Sequence, residues 1–182
     1  MKKGFTLVEL LIVIGILAVL TAAVVVVLNP AQLLAQARDA QRMSDLEAVT
    51  SAVTFYLVTA NTPSLGATPQ CMVGALNSGV VCTTNTSTVV TGTGWIQINL
   101  ASSTGGSPLA SLPTDPSNSA NYYYAYIGDA TNKTYELNSR LESVKYRVNM
   151  TTDGGNDNNC PSTWTETSCY YEVGTAPGLN LY

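Results

Sequence analysis

The most pronounced pattern along the chain is an apolar run from Leu10 to Leu28, nineteen residues of Leu, Ile, Val, Ala, Gly and one Thr without a charge. At 1.5 Å per residue this makes a helix of about 28 Å, apolar on every side and close to the hydrocarbon thickness of a bilayer. Lys2 and Lys3 ahead of it favour a cytoplasmic N-terminus and an external C-terminus. Asn29-Pro30 follows. Proline removes a backbone donor and clashes with the preceding turn, so the chain either kinks within one long helix or restarts with Asn29 as N-cap and Pro30 as first residue. If the helix is continuous, Phe5 to Val58 spans 54 residues, or about 80 Å. Ala31 to Val58 holds strong helix formers and no internal Gly or Pro, and Met43, Leu46, Val49, Val53 and Tyr56 recur at steps of three and four. That stripe predicts an amphipathic helix packed under a sheet. Arg38, Asp39, Arg42, Asp45 and Glu47 cluster on the same segment; Asp39–Arg42 and Arg42–Asp45 are i, i+3 pairs worth about 0.2–0.5 kcal/mol each on an exposed helix.

Thr59-Ala60-Asn61-Thr62-Pro63 ends this helix, and beyond it the period becomes two. Ile96, Ile98 and Leu100 alternate with polar residues, as do Val144, Tyr146 and Val148; Tyr122, Tyr124 and Tyr126 form a third run and Tyr135 and Leu137 a short fourth. Between them Ser107 to Pro116 is turn-rich. The reading is α+β: a long N-terminal helix, half transmembrane and half amphipathic, packed on a small antiparallel sheet of three or four strands. The organisation expected is 1–4 as a leader, 5–30 as an apolar helix, 31–58 as an amphipathic helix and 59–182 as a β-rich head.

Charge sharpens this picture. The 182 residues carry 8 basic and 12 acidic side chains, a net charge of −4, and no His. Without His there is no His-based triad, zinc site or haem ligand. Without a basic surplus there is no footprint for nucleic acid. The chain reads as a structural protein with no catalytic residues and no direct nucleic-acid binding. From Thr59 to Gly128 a single charged residue, Asp115, stands among Thr, Ser, Asn and Gly. Four cysteines allow three pairings. Cys71 with Cys82 and Cys160 with Cys169 is the expected arrangement, since each pair brackets a short segment containing Gly or Pro; such bonds persist only outside the cytosol. The loop Asp153-Gly154-Gly155-Asn156-Asp157-Asn158-Asn159 offers hard oxygen ligands on a tight turn, with Asp153 and Asp157 as candidate calcium ligands, though without the spacing of an EF-hand.

One residue fits no bland membrane anchor. Glu9 lies among Phe5, Leu7, Val8 and Leu10, and a carboxylate at the hydrocarbon edge is a functional hypothesis by default. The string Lys3-Gly4-Phe5-Thr6-Leu7-Val8-Glu9-Leu10 resembles the processing and methylation motif of type IV prepilins and of the related pseudopilins of type II secretion. Leu112 to Tyr124, with its Leu-Pro-Thr-Asp-Pro, and the later Tyr171-Glu172-Val173-Gly174 loosely resemble the major pseudopilin and some bacterial pilins.

The resemblance implies a type IV pilin-like fold and cleavage of the Gly4–Phe5 bond by a membrane prepilin peptidase, which then methylates the new amine of Phe5. It implies a subunit held in the lipid bilayer, handed to an inner-membrane assembly platform, and polymerised with copies of itself into a helical extracellular or periplasmic filament. There the Phe5 amine of one copy would face Glu9 of the next and fix the register. It also raises calcium as a ligand of the C-terminal loop; no other cofactor is expected. The alternatives are a type II secretion pseudopilin and, outside that mechanism, an uncleaved membrane-anchored surface adhesin.

Overall fold

The computed structural model describes residues 4–73, 82–156, 158, 160 and 169–180, apart from the side chain of Val26. Helix α1 (Leu7–Leu28) and helix α2 (Pro30–Thr59) are separate elements joined at Asn29. Asn29 takes the left-handed conformation, φ 40° and ψ 74°, ending α1 and capping α2 in the same residue. Its Oδ1 accepts from the Gln32 amide at 3.4 Å, and its carbonyl accepts from Gln32 at 2.9 Å. Asn is one of the few side chains that tolerates this region, and Pro30 presets φ for the turn that follows. Of the two readings of Asn29-Pro30 the restart is the one found, and the continuous 54-residue helix is not formed.

The two helices differ in what surrounds them. Every large apolar side chain described on α1 is exposed, and Phe5 just before it is 81% exposed. Helix α2 instead buries Ala35, Asp39, Arg42, Leu46, Val49, Ala52, Val53 and Tyr56. The expected stripe is therefore present through Leu46, Val49, Val53 and Tyr56, but Met43 is only half-buried and packs on a smaller cluster of Leu141, Met150 and Cys169.

The head sheet is mixed, with strand order β2-β1-β3-β4-β5. Strands β1 (Gln70–Cys71), β3 (Ala125–Asp129), β4 (Thr134–Ser139) and β5 (Tyr171–Gly174) pair antiparallel. The two-residue β2 (Thr83–Thr84) runs parallel to β1 at the edge, which corrects the purely antiparallel expectation. The pairing is continuous with a covalent link: Cys71 of β1 is bonded to Cys82, the residue just before β2, with Cα atoms 5.7 Å apart. Trp95, Ile96, Ile98, Leu100, Leu112, Tyr124, Tyr126 and Leu137 fill the space between α2 and the sheet.

Two expected strands are absent. Ile96, Ile98 and Leu100 are buried, but their segment makes only an isolated Thr91–Asn99 bridge and then turns into a 3₁₀ helix at Leu100–Ser102. Alternation reported burial there without reporting a sheet. Val144 and Val148 are 69% and 57% exposed, and their segment turns into the one-turn helix α3 (Asn149–Thr152). The backbone amides that a ladder would need are taken by side chains: Ser143 N donates to Asp39, Val144 N to Gln32 and Tyr146 N to Ser143 Oγ.

The two faces of α2 should respond differently to truncation. Leu46→Ala, at a fully buried position, is expected to cost about 2–5 kcal/mol in chemical denaturation. Leu34→Ser, on the exposed face, should leave the midpoint unchanged within about 0.5 kcal/mol.

Candidate functional site

The N-terminal end of α1 is built by a capping box. Thr6 is the N-cap, with extended backbone; its Oγ1 accepts from the Glu9 amide at 3.2 Å, while Glu9 Oε2 accepts from Thr6 N at 2.8 Å and Thr6 Oγ1 at 2.7 Å. The box satisfies otherwise orphaned donors at the helix start. It also fixes where the helix begins, which leaves Gly4 and Phe5 exposed and non-helical ahead of it. No heavy atom would meet a side chain added at Gly4, so that glycine is not demanded by packing within this chain. Met1, Lys2 and Lys3 lie outside the described residues.

What holds α2 to the head is a charged network built on residues that the sequence suggested only as helix-supporting pairs. Arg42 and Asp39 are buried completely. They fall on the 3–4 stripe that continues through Leu46, Val49, Val53 and Tyr56, and that spacing was the signal of their burial. Asp39 accepts from Arg42 Nη1 at 2.9 Å and from the backbone amides of Glu142 and Ser143 at 2.8 and 2.7 Å. Asp115 takes Arg42 in a fork, Nε at 2.7 Å and Nη2 at 2.9 Å, and caps its own turn through the amides of Ser117 and Asn118. Glu142 accepts from Arg38 Nη2 at 2.5 Å, pairs with Arg42 Nη2 at 2.6 Å and accepts from Ser117 Oγ at 3.0 Å. The Tyr122 ring lies 5.0 Å from the guanidinium carbon of Arg42.

Asp39–Arg42 thus pairs as the spacing implied, but in the interior. The Arg42–Asp45 pair does not form: Asp45 accepts from Gln41 and from the Tyr124 hydroxyl. Asp115, the lone charge in seventy residues, was conspicuous in sequence, and its partner is now plain.

The remaining candidates fall into place more simply. Cys160 and Cys169 are bonded, with Cα atoms 4.9 Å apart, as are Cys71 and Cys82. Asp153 Oδ1 accepts from Gly155 N and Oδ2 from Glu172 N, which ties the loop to β5; Asp157 lies outside the described residues. Among the described residues no three His, Cys, Asp or Glu side chains gather as a metal cluster. The tyrosines largely serve packing: Tyr124 donates to Asp45, Tyr126 to the Leu65 carbonyl and Tyr135 to the Thr50 carbonyl, each from a buried ring.

Two consequences of the network are measurable. Arg42→Ala strands Asp39 and Asp115 without their cation and is expected to destabilise the head by about 3–5 kcal/mol. Burial alone would raise the Glu142 carboxyl, but the hydrogen bonds from Arg38 and Arg42 outweigh it and hold the group down to about 2. A depressed carboxyl stabilises the fold above its unfolded value, and that contribution disappears as pH falls toward the folded value. Thermal unfolding followed from pH 4.5 down to about 2 should show the loss, and Glu142→Gln should flatten it.

A family model described as the prokaryotic N-terminal methylation motif matches residues 1–25. No curated protein and no solved structure matches the chain. The match covers the capped start and most of the uncovered helix α1. Over those residues the chain carries the N-terminal methylation motif that is the signature of type IV pilins and pseudopilins.

Proposed function

We propose that this protein is the structural subunit of a type IV pilus-like filament, cleaved by prepilin peptidase between Gly4 and Phe5, methylated on Phe5 and polymerised through α1. The observation that carries the reading is the conjunction at one end of the chain: a methylation motif, an exposed Gly4–Phe5 junction ahead of a capped helix, and a helix whose described apolar side chains are all uncovered. A helix apolar all round needs lipid or other helices around it. A subunit stored in the bilayer and then bundled with its copies meets both conditions in turn. The long Thr- and Ser-rich head, with a single charge between Thr59 and Gly128, suits a surface-exposed subunit.

Within this reading Glu9 is an assembly residue and not a catalyst. Its carboxylate closes the capping box in the isolated chain. Cleavage creates a new cation at Phe5, and in a filament the amine of one copy would meet Glu9 of its neighbour in a poorly hydrated core. An ion pair in such surroundings is strongly position-dependent, because leaving either member alone is costly.

Intact-mass measurement and N-terminal sequencing of the protein from its native membranes and from sheared surface material test the proposal. The expected product begins at N-methyl-Phe5 and is four residues shorter than the 182-residue chain. A chain beginning at Met1 in both fractions would overturn it in favour of an uncleaved anchor. Gly4→Val should block the cut and retain the full-length form in the membrane. Glu9→Gln, which leaves the scissile bond intact, should be found in membranes but be depleted from the sheared fraction.

A further inference from the structure

Beyond α2, the large apolar side chains left exposed among the described residues are Val89, Val144 and Val148. Two of the three belong to one turn. Arg147 N donates to the Ser143 carbonyl at 3.1 Å, a helical bond across four residues. Val144 and Val148, also four apart, therefore lie on the same side of that turn. Lys145 is exposed between them; its Nζ lies 4.7 Å from the centre of the Tyr146 ring and 3.2 Å from the Tyr146 hydroxyl. Tyr146 is half-buried against Leu141, Met150 and Cys169. The neighbouring carboxylate, Glu142, is held by Arg38 and Arg42, so the turn presents an ammonium beside apolar side chains.

The place of this turn in the fold determines what it meets. Ser143 N donates to Asp39 and Val144 N to Gln32 Oε1, which pins the turn to the start of α2. Gln32 is the third residue of α2 and stands four residues past the end of α1. At the helical rise that is about 6 Å, and the headgroup layer on each side of a bilayer's hydrocarbon is about 5–8 Å thick. Leu33 and Leu34, next to Gln32, are exposed as well, so apolar surface continues from α1 past Asn29 toward the turn. Lys133, also exposed, instead bonds the Pro63 carbonyl, beyond the far end of a helix about 45 Å long. Aliphatic side chains with a Tyr and a Lys, apolar in body and polar at the tip, are the chemistry that settles at headgroup level.

We propose that the Val144–Val148 turn is a membrane-surface contact. In the subunit held by α1, Val144 and Val148 enter the headgroup layer of the leaflet on the head's side, and Lys145 meets the phosphate of an anionic phospholipid. The inference rests on the reading of α1 as the membrane-held helix. A single helix sets how far the head stands from the bilayer but leaves it free to turn about the helix axis. The pinned turn is a second contact, and it fixes which side of the head faces the lipid.

The test is photo-cross-linking of the full chain in vesicles of equal parts phosphatidylcholine and phosphatidylglycerol. The photoreactive residue p-benzoylphenylalanine takes the place of Val19, Lys133, Val144 or Val148, one at a time, all at exposed positions. Adducts are identified by intact mass after irradiation. Lipid adducts are expected at Val19, which reports whether α1 lies in the bilayer, and at Val144 and Val148, with several-fold fewer at Lys133. Lys145→Glu should lower the yield at Val148 several-fold in these vesicles and leave it unchanged in phosphatidylcholine alone. Three results would each overturn the inference while the membrane reading of α1 stands. They are adducts at Val19 with no more at Val144 and Val148 than at Lys133, pairs of cross-linked chains at Val148 in place of lipid adducts, and a yield indifferent to Lys145→Glu. No lipid adduct at Val19 would overturn both readings together.

Discussion

The architecture turns on one guanidinium. Arg42 reaches from α2 into the interior and is met there by Asp39 of its own helix, Asp115 of the turn-rich loop and Glu142 of the chain leaving β4. Three segments far apart in sequence converge on it. Its fork geometry matches a carboxylate in two places at once, which a lysine does not reproduce. The network holds three carboxylates against the two cations Arg38 and Arg42, and the balance of Asp39 is made up by two backbone amides. Such an arrangement contributes little net stability over an apolar core, but any misplaced register leaves a buried charge alone. Its effect is to permit one docking of α2 on the head and to penalise the others.

That docking gives the chain two regions with opposite relations to their surroundings. The head completes itself: aromatic rings pack on α2 and their polar ends find carbonyls or carboxylates. Helix α1 does not; its described side chains face outward on all sides, and Thr21 returns its hydroxyl to the Leu17 carbonyl as a polar group must where water is absent. The break at Asn29 separates the two regimes. Because the left-handed residue ends one hydrogen-bond ladder and starts another, the exchange of lipid for neighbouring helices in the proposed filament would leave the packing of α2 undisturbed.

The parts of this design that were legible in sequence are those set by local rules. The apolar run, the methylation motif and the α2 stripe each carry their own periodicity or spacing, whereas the Tyr122–Tyr126 run lies mostly ahead of β3, which begins at Ala125. What sequence did not reveal was set by distant partners. Asp39 and Arg42 look like a surface pair until Asp115 arrives from 73 residues beyond Arg42 and Glu142 from 103 beyond Asp39. Val144 to Val148 alternates like a strand, but Asp39, Gln32 and Ser143 capture its neighbours' amides. Ile96 to Leu100 alternates because alternate residues are buried, and no neighbouring strand is aligned to pair with it. Glu136, Asn138 and Glu172 are polar as an exposed sheet face would be, yet all three are buried, Glu172 against the chain at Gly155.

The burial of Asp115 has a consequence for what the head presents to its surroundings. It is the sole charge between Thr59 and Gly128, and it is spent on Arg42. Among the described residues of that stretch the outer surface carries hydroxyls, carboxamides, peptide groups and apolar side chains such as Val89, with no carboxylate or ammonium to titrate. Its attraction for another surface is short-ranged and directional, and it lacks the long-range component that dissolved ions screen. Contacts made by this stretch should hold equally in fresh and salt water, and across any acidity that the fold itself survives.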